Sequence, residues 1–314
     1  MRKMKVVVIG FGWVGQANAL ALSMMGEDVY YFDPQNPDFH YKESYAKYYN
    51  NLKALKNPLE VDSDDTVYLV CVGDKVLPSG DQDLTNIKKA LDSLAKANGT
   101  VILRSTILPS SLKDLKFDFY VPEFLHEIKA VEECSKPHYF VIGDRKTKPV
   151  PVFLQKWSKA SYKIFEGTPE EASYIKYLSN IWNSLRIAFV NEFGNAIKIP
   201  RNHRDVKSIE KIIDFIFGGK SYLRYGRGFG GHCLPKDTLA FWGVASKNNS
   251  GDKLFKAIID SNDIHIEMHK NNDVVKEWFS EWEKSDVSGK IALRALVKAI
   301  GRNLKYIVTG KKEI

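Results

Sequence analysis

Lys5-Val-Val-Val-Ile-Gly10-Phe-Gly12-Trp-Val-Gly15 runs a string of β-branched residues straight into three glycines spaced G-x-G-x-x-G. The apolar run reads as a buried strand, and residues 16–25 read as a helix that Gly26 stops. A second strand, Asp28-Val-Tyr-Tyr-Phe, ends on Asp33. Strand, glycine turn, helix, strand and terminal acid together form a dinucleotide-binding fingerprint. In that pattern Gly10 makes the tight turn and Gly12 lets a pyrophosphate approach the helix N-terminus. Gly15 lets helix and strand pack closely. Asp33 accepts hydrogen bonds from ribose hydroxyls and repels a 2′-phosphate, so NAD is expected rather than NADP.

Working outward, further strands are expected at residues 66–72 and 100–106, with a helix at 86–97 between them, and at 139–143 and 162–165. Alternating strands and helices predict an α/β, Rossmann-type, doubly wound parallel sheet. Ligands of such sheets sit beyond the carboxyl ends of the strands. Ser105 and Thr106 end a strand and would face that crevice, although ordinary capping of the next turn accounts for them as well. Phe119-Tyr-Val-Pro-Glu123-Phe-Leu-His-Glu127 follows another strand. If the segment after Pro122 is helical, Glu123 and Glu127 share one face, either as an acid/base pair or as a solvated helix surface.

The pattern then changes. Thr168-Pro169-Glu170-Glu171 is a capping box with proline at the first helical position. It predicts a long helix to about residue 197, roughly 40 Å at 1.5 Å per residue, enough to bridge domains or form a dimer spine. Lys176 and Asn180 lie one turn apart on it and offer a cation and an amide to a polarised oxygen. Farther on, Tyr225-Gly-Arg-Gly-Phe-Gly-Gly-His-Cys233-Leu-Pro-Lys236-Asp237 carries four glycines in six residues just before a cysteine. Bare backbone there suits close approach of a ligand or positive φ. A nearby cation such as Lys236 favours the thiolate, which is the nucleophilic form. An incidental cysteine after a glycine-rich surface loop is the plainer alternative.

Hydrophobic residues make up 44% and charged residues 27% of the 314, which is ordinary for a globular protein. Three widely spaced cysteines (71, 134, 233) give neither a disulfide framework nor a zinc pattern. No metal and a cytoplasmic setting are therefore expected. The net charge of +8 favours an anionic partner, and its even scatter does not point to nucleic acid. No apolar run reaches the ~18 residues of a membrane helix. Gly218-Gly-Lys-Ser221 only imitates the end of a phosphate loop, because Asp214 stands where the first glycine belongs.

Taken together, GFGWVG with Asp33, RST at 104–106, PEFLHE at 122–127, EASYIKYLSN at 171–180, FVNE at 189–192 and GFGGHCLPKD at 228–237 resemble the UDP-glucose/GDP-mannose dehydrogenase family over residues 3 to about 265. The resemblance implies oxidation of a nucleotide sugar's primary alcohol to a uronate in two NAD-consuming steps. It makes Cys233 the nucleophile that forms a thiohemiacetal and then a thioester. Lys176 would stabilise oxyanion charge, Asp237 with Thr106 and Glu127 would handle the proton or position water, and Asn180 would orient substrate. Glu123, Phe124, Leu125, Lys176, Asn180, Tyr222, Gly230 and Lys236 match substrate-side positions. Gly10, Gly12, Val14, Gly15, Asp33, Ser105 and Thr106 match the cofactor side.

The sequence departs from the family pattern at Val72-Gly-Asp74-Lys75, where a proline-containing loop is expected, and only about fifty residues follow His265, too few for the family's second nucleotide-binding domain. The expected organisation is a Rossmann-type domain over 1–166, a mostly helical domain with the cysteine loop over 167–265, and a short helical basic tail over 266–314. In that tail Lys290, Arg294, Lys298 and Arg302 form a stripe beside apolar positions, either a phosphate neutraliser or a packing helix. A nucleotide-sugar substrate, no nucleic acid or membrane partner, and a homodimer through the long helix are expected. Two other readings are a two-electron hydroxy-acid or alcohol dehydrogenase on a smaller substrate, and a degenerate NAD-binding partner protein.

Overall fold

A computed structural model describes residues 3–35, 37–126, 129–217, 223–248 and 251–278. Glu127, Tyr222, the 218–221 phosphate-loop imitation and the basic stripe at 290–302 lie outside the described residues. In chain order the elements are β1 (Lys5–Ile9), α1 (Trp13–Met24), β2 (Asp28–Phe32), α2 (Lys42–Tyr49), β3 (Lys53–Ala54), β4 (Thr66–Val70), β5 (Lys75–Val76) and β6 (Gln82–Asp83). They continue with α3 (Thr85–Ser93), β7 (Thr100–Leu103), α4 (Pro109–Leu112), β8 (Phe119–Tyr120), α5 (Ala130–Ser135), β9 (Tyr139–Asp144), α6 (Val152–Ala160) and β10 (Lys163–Gly167). The helices α7 (Pro169–Ile197), α8 (His203–Phe217), α9 (Cys233–Lys247) and α10 (Asp252–Lys270) complete the order.

The chain divides into two compact units, one of residues 1–182 with 232–255 and one of 183–231 with 256–314, and α7 and α10 supply residues to both. The first unit is built on an eight-stranded sheet of order β10-β9-β8-β7-β4-β1-β2-β3. Val6 and Val8 of β1 enter the apolar core on one face, while Val7 and Ile9 enter the core on the other. A strand covered on both sides needs no polar alternation, which is why β1 reads as an unbroken apolar run. Six of the sheet's seven pairings are parallel, and β8–β9 is antiparallel. After β8 the chain passes through α5, whose Ala130, Val131 and Cys134 pack on Ala17, Leu20 and Ala21 of α1. No helix crosses over the sheet at that point, so β9 returns in the opposite direction.

The sheet order reverses between β1 and β4, the place where doubly wound folds open a crevice. Into it project the turn after β1, the segment after β4 and the segment after β7. Local chemistry fixes the helix that follows the sheet. Thr168 and Glu171 exchange the two bonds of a capping box, Glu171 N–H to Thr168 Oγ1 at 3.2 Å and Thr168 N–H to Glu171 Oε2 at 2.8 Å.

In the second unit the inner faces of α7 and α8 meet around Tyr225, whose ring fills the space left by Gly194. A Cβ there would lie 2.1 Å from the ring. The Tyr225 hydroxyl donates to Asn195 Oδ1 at 2.5 Å. Glu210 accepts the Tyr225 N–H at 2.7 Å and pairs with Arg224, yet burial pushes its carboxyl up to about 7. His269 stands edge-on to Tyr225, buried, with neither ring nitrogen hydrogen-bonded.

Burial, with His265 beside it, pulls the His269 imidazole down to about 4 from an ordinary 6.5. Between those two values the unfolded chain binds a proton that the folded chain does not. Stability therefore falls as pH drops from 6.5 towards 4, by up to about 1.4 kcal/mol per pH unit from this group. His269→Phe removes two unpaired polar atoms without opening a large cavity. It is expected to leave stability at pH 7.5 unchanged or higher and to flatten the acid limb in denaturant titrations from pH 7.5 to 4.5. An unaltered acid limb contradicts this.

Candidate active site

The glycine turn after β1 is set by two close approaches. Gly10 has φ 84°, and a Cβ there would meet Val72 Cγ2 at 2.9 Å. A Cβ at Gly15 would sit 2.0 Å from the Gly10 carbonyl oxygen, so only glycine lets α1 start this close to the strand. A Cβ at Gly12 would meet nothing within 4 Å and would project into open space before the first turn of α1. That first turn has no side-chain cap, so its N–H groups and the helix dipole suit a pyrophosphate. Val14 lies there half-buried, and its carbonyl accepts from Asn18 Nδ2 at 2.8 Å.

Asp33 closes the turn as well as standing at the ribose position. Its Oδ2 accepts the Phe11 N–H at 2.7 Å and its Oδ1 the Gln35 N–H at 2.9 Å, which leaves each oxygen a further lone pair. Gln16, which the sequence reading passed over, ties the turn to the loop after β2. Its amide donates to the carbonyls of Phe11 at 2.7 Å and Asp38 at 2.6 Å, and it accepts from the His40 N–H at 2.9 Å and the Tyr49 hydroxyl at 2.5 Å. These residues fit a dinucleotide.

In the same unit α7 and α9 deliver a second group of side chains. Asp237 is fully buried. Its Oδ2 accepts from Asn180 Nδ2 at 2.6 Å, and its Oδ1 accepts from Lys236 Nζ at 2.6 Å. Lys236 also reaches Asp74 Oδ1 at 2.8 Å and Oδ2 at 2.9 Å. Burial pulls the Lys236 ammonium down, but the two carboxylates outweigh it and hold it above the ordinary lysine range. Asp74 Oδ2 in turn accepts from Gln82 Nε2 at 2.6 Å. Gln82 donates to the Thr106 carbonyl at 2.9 Å and accepts the Leu108 N–H at 2.9 Å.

Cys233 is the first residue of α9 and is exposed. The protein packed about the thiol pushes it above the ordinary range; Lys176 and Lys236 pull it down, and Glu123 and Asp237 push it further up. The lysine with the larger influence is Lys176 from α7, not Lys236 three residues on. Lys176 is itself buried, 3.9 Å from Glu123 Oε1 and 5.1 Å from the centre of the Phe124 ring. The other two cysteines are inert core groups, with Cys71 pushed up to about 12 by burial.

The structure therefore brings together Lys176, Asn180, Lys236, Asp237, Glu123, Phe124 and, through Gln82, Thr106. Ser105 turns back on the protein, and its Oγ donates to the Val72 carbonyl at 2.5 Å. Residues 121–126 form no helix, so the condition for a shared helical face is not met over these residues. Pro122 breaks regular pairing after β8, and Glu123 Oε2 folds back to accept the Leu125 N–H at 2.8 Å.

Gly230 belongs to the second unit, where its own loop is pinned twice. Asn191 takes the Gly226 N–H at 2.9 Å and donates to the Arg227 carbonyl at 2.7 Å, and Asn262 donates to the Phe229 carbonyl at 3.0 Å. Asp74, Gln82 and Gln16 are the polar residues that the sequence reading did not assign. Only Asp74 left a signal, as the unexpected acid in the loop after β4.

Residues 170–264 match the central domain of the UDP-glucose/GDP-mannose dehydrogenase family. The chain is 28% identical over 294 residues to UDP-glucose 6-dehydrogenase of Rickettsia bellii, covering 82% of this chain and 67% of that protein. It is 26% identical over 302 residues to GDP-mannose 6-dehydrogenase of Pseudomonas aeruginosa, covering 84% and 69%. In fold it is similar to a UDP-glucose dehydrogenase from Pyrobaculum islandicum, with TM-score 0.71, 24% identity and coverage of 84% and 68%. Among the described residues no helix is long and apolar enough to cross a membrane.

Two glycines of the turn separate folding from binding. Gly15→Ala is expected to cost about 3 kcal/mol in denaturant unfolding because its methyl meets backbone. Gly12→Ala is expected to leave stability within about 0.5 kcal/mol while NAD binding, followed by calorimetry, is lost. Equal stability of the two variants, or tight NAD binding by Gly12→Ala, contradicts the assignment.

Proposed function

We propose that this chain, a member of the UDP-glucose/GDP-mannose dehydrogenase family, oxidises the primary alcohol of a nucleotide sugar of the UDP-glucose kind to the carboxylate, in two steps through Cys233. The observation that carries this reading is the buried Asp237 carboxylate, held by Asn180 and Lys236 one helical turn beyond the exposed Cys233 thiol. A simple alcohol dehydrogenase has no use for a nucleophilic thiol beside a fixed carboxylate, whereas oxidation past the aldehyde needs both a covalent acceptor and an aimed water.

Bound NAD supplies the hydride acceptor for each oxidation. In the first, the alcohol loses its hydroxyl proton towards the Asp237 and Thr106 side as its carbon gives up hydride, and an aldehyde results. The Cys233 thiol then gives up its proton as the sulfur bonds to the aldehyde carbon; the carbonyl electrons move onto oxygen, where the Lys176 ammonium stabilises the charge until that oxygen takes up a proton and completes the thiohemiacetal. Loss of a second hydride from that thiohemiacetal leaves a thioester. Water adds to the thioester with Asp237, Thr106 and Glu127 positioning it and taking its proton, and the carbon–sulfur bond breaks to release carboxylate and thiol.

Asn180 orients the substrate. Glu123, Phe124 and Leu125 serve its sugar side, and Lys236 contributes by holding Asp237; Tyr222 and Gly230 are substrate-side residues by the resemblance alone. Gly10, Gly12, Val14, Gly15, Asp33, Ser105 and Thr106 form the cofactor side. A homodimer through α7 is part of the proposal, supported by Tyr174, Leu178, Trp182, Phe189, Phe193 and Ile197, which are exposed at helical spacing along it.

Two NADH per sugar are expected from the wild-type chain. Cys233→Ser is expected to stop after one equivalent with aldehyde trapped by a hydrazine. One NADH from the wild type, together with an unimpaired serine variant, overturns the thioester route. Leu178→Glu with Phe193→Glu is expected to halve the mass seen by light scattering after gel filtration; an unchanged mass removes the α7 interface.

A further inference from the structure

The acid that follows β4 does not belong to the machinery assigned above, yet it sets the behaviour of a residue that does. A lysine ammonium has three N–H donors. Within 2.6–2.9 Å of Lys236 Nζ lie three carboxylate oxygens, both of Asp74 and one of Asp237. Two of its donors are taken, one by Asp74 Oδ2 and one by Asp237 Oδ1, and Asp74 Oδ1 stands 2.8 Å away as a further ion-pair partner.

Asp74 is fixed from the other side. It opens a hairpin made of β5 and β6, whose far strand brings Gln82 back to donate to Asp74 Oδ2 at 2.6 Å. The hairpin is seated on α9 by backbone contact, because a Cβ at Gly80 would fall 2.7 Å from the Gly243 Cα. Asp81 at its tip pairs with Lys247 of the same helix. Gln82 is locked by four partners, the Thr106 carbonyl, the Leu108 N–H, Asp74 and the Tyr177 hydroxyl. One hairpin thus grips both ends of the arrangement, the backbone of Thr106 and the ammonium of Lys236.

We propose that Asp74 and Gln82 are positioning residues that hold Lys236 against Asp237 and withhold its ammonium from Cys233, leaving Lys176 as the cation that serves the sulfur. The inference deepens the thioester route. One lysine is reserved for keeping the water-positioning carboxylate in place, and the other for the thiol and the oxyanion it forms. The charged groups acting on the thiol are Lys176, Glu123, Asp237 and Lys236. Asp74 acts on it only through Lys236.

The test reads the thiol in the resting protein and needs neither NAD nor sugar, so it stands or falls apart from the proposed reaction. Iodoacetamide alkylation of the Cys233 peptide is followed by mass spectrometry between pH 6 and 10 in the wild type, Asp74→Asn, Lys236→Met and the double variant. Freed from Asp74, Lys236 is expected to shift the alkylation midpoint of Asp74→Asn down by about half a pH unit or more. The double variant is expected to match Lys236→Met, because the effect travels through the lysine. An unmoved midpoint in folded Asp74→Asn overturns the proposal. A shift that survives in the double variant also overturns it, since Asp74 would then act by its own charge.

Should Asp74→Asn not fold, Gln82→Leu and Gln82→Leu with Lys236→Met carry the same comparison, with the same direction expected and the same two results overturning it. In turnover, Asp74→Asn is expected to lower kcat with KM for the sugar unchanged, whereas a raised KM alone speaks for a substrate contact and against positioning.

Discussion

A carboxylate with no solvent exposure is the constraint on which the rest of the first unit depends. Burying the Asp237 charge is costly unless its oxygens are fully hydrogen-bonded, and the chain meets that demand with Asn180 from α7 and Lys236 from α9. Lys236 is itself nearly buried and needs compensation, which Asp74 supplies from the loop after β4. Asp74 is in turn satisfied by Gln82. The polar network is thus continuous from the sheet edge of the crevice to the two helices that follow the sheet. Removing one member leaves a neighbour buried and unpaired, a larger penalty than the loss of the bond itself.

The same network explains why the thiol rests where it does. Cys233 begins a helix and sits near two lysines, a setting that by itself favours thiolate. The protein packed around it and the carboxylates of Glu123 and Asp237 outweigh those lysines, so the resting sulfur stays protonated to higher pH than an ordinary cysteine. A protonated resting thiol is guarded against stray oxidants. On the proposed route it becomes a nucleophile when an electrophilic carbon arrives within reach of Lys176, whose charge would stabilise the oxyanion as the carbon–sulfur bond forms.

Much of the fold was legible because its signals are local. The unbroken apolar run of β1, the glycine spacing, the acid ending β2 and the capping box of Thr168 and Glu171 each encode their structure within a few residues. The antiparallel return of β9 was not legible, because its cause is the packing of α5 on α1, a contact between segments over a hundred residues apart in sequence. Within the site, Lys176 and Asn180 one turn apart, and Cys233 with Asp237 one turn apart, could be read from helical periodicity. Asp74 and Gln82 could not, since they meet across a two-residue-stranded hairpin and Asp74 reaches Lys236 from 162 positions away. The rank of Lys236 was hidden for the same reason: it pulls the thiol down as expected, but less than Lys176 does. Sequence proximity showed the lysine beside the cysteine, and only the fold showed two carboxylates holding it.

The covalent intermediate on Cys233 is the centre of this account, and it can be weighed. Asp237→Asn removes the carboxylate that, on the proposed route, aims water at the thioester, while leaving sulfur and Lys176 in place. Quenching that variant in acid during turnover with NAD and a nucleotide sugar, and measuring the mass of the Cys233 peptide, is the most direct test. The account predicts a peptide heavier by the acyl sugar nucleotide, in amounts approaching one per chain. NADH formation accompanied by an unmodified Cys233 peptide would contradict it.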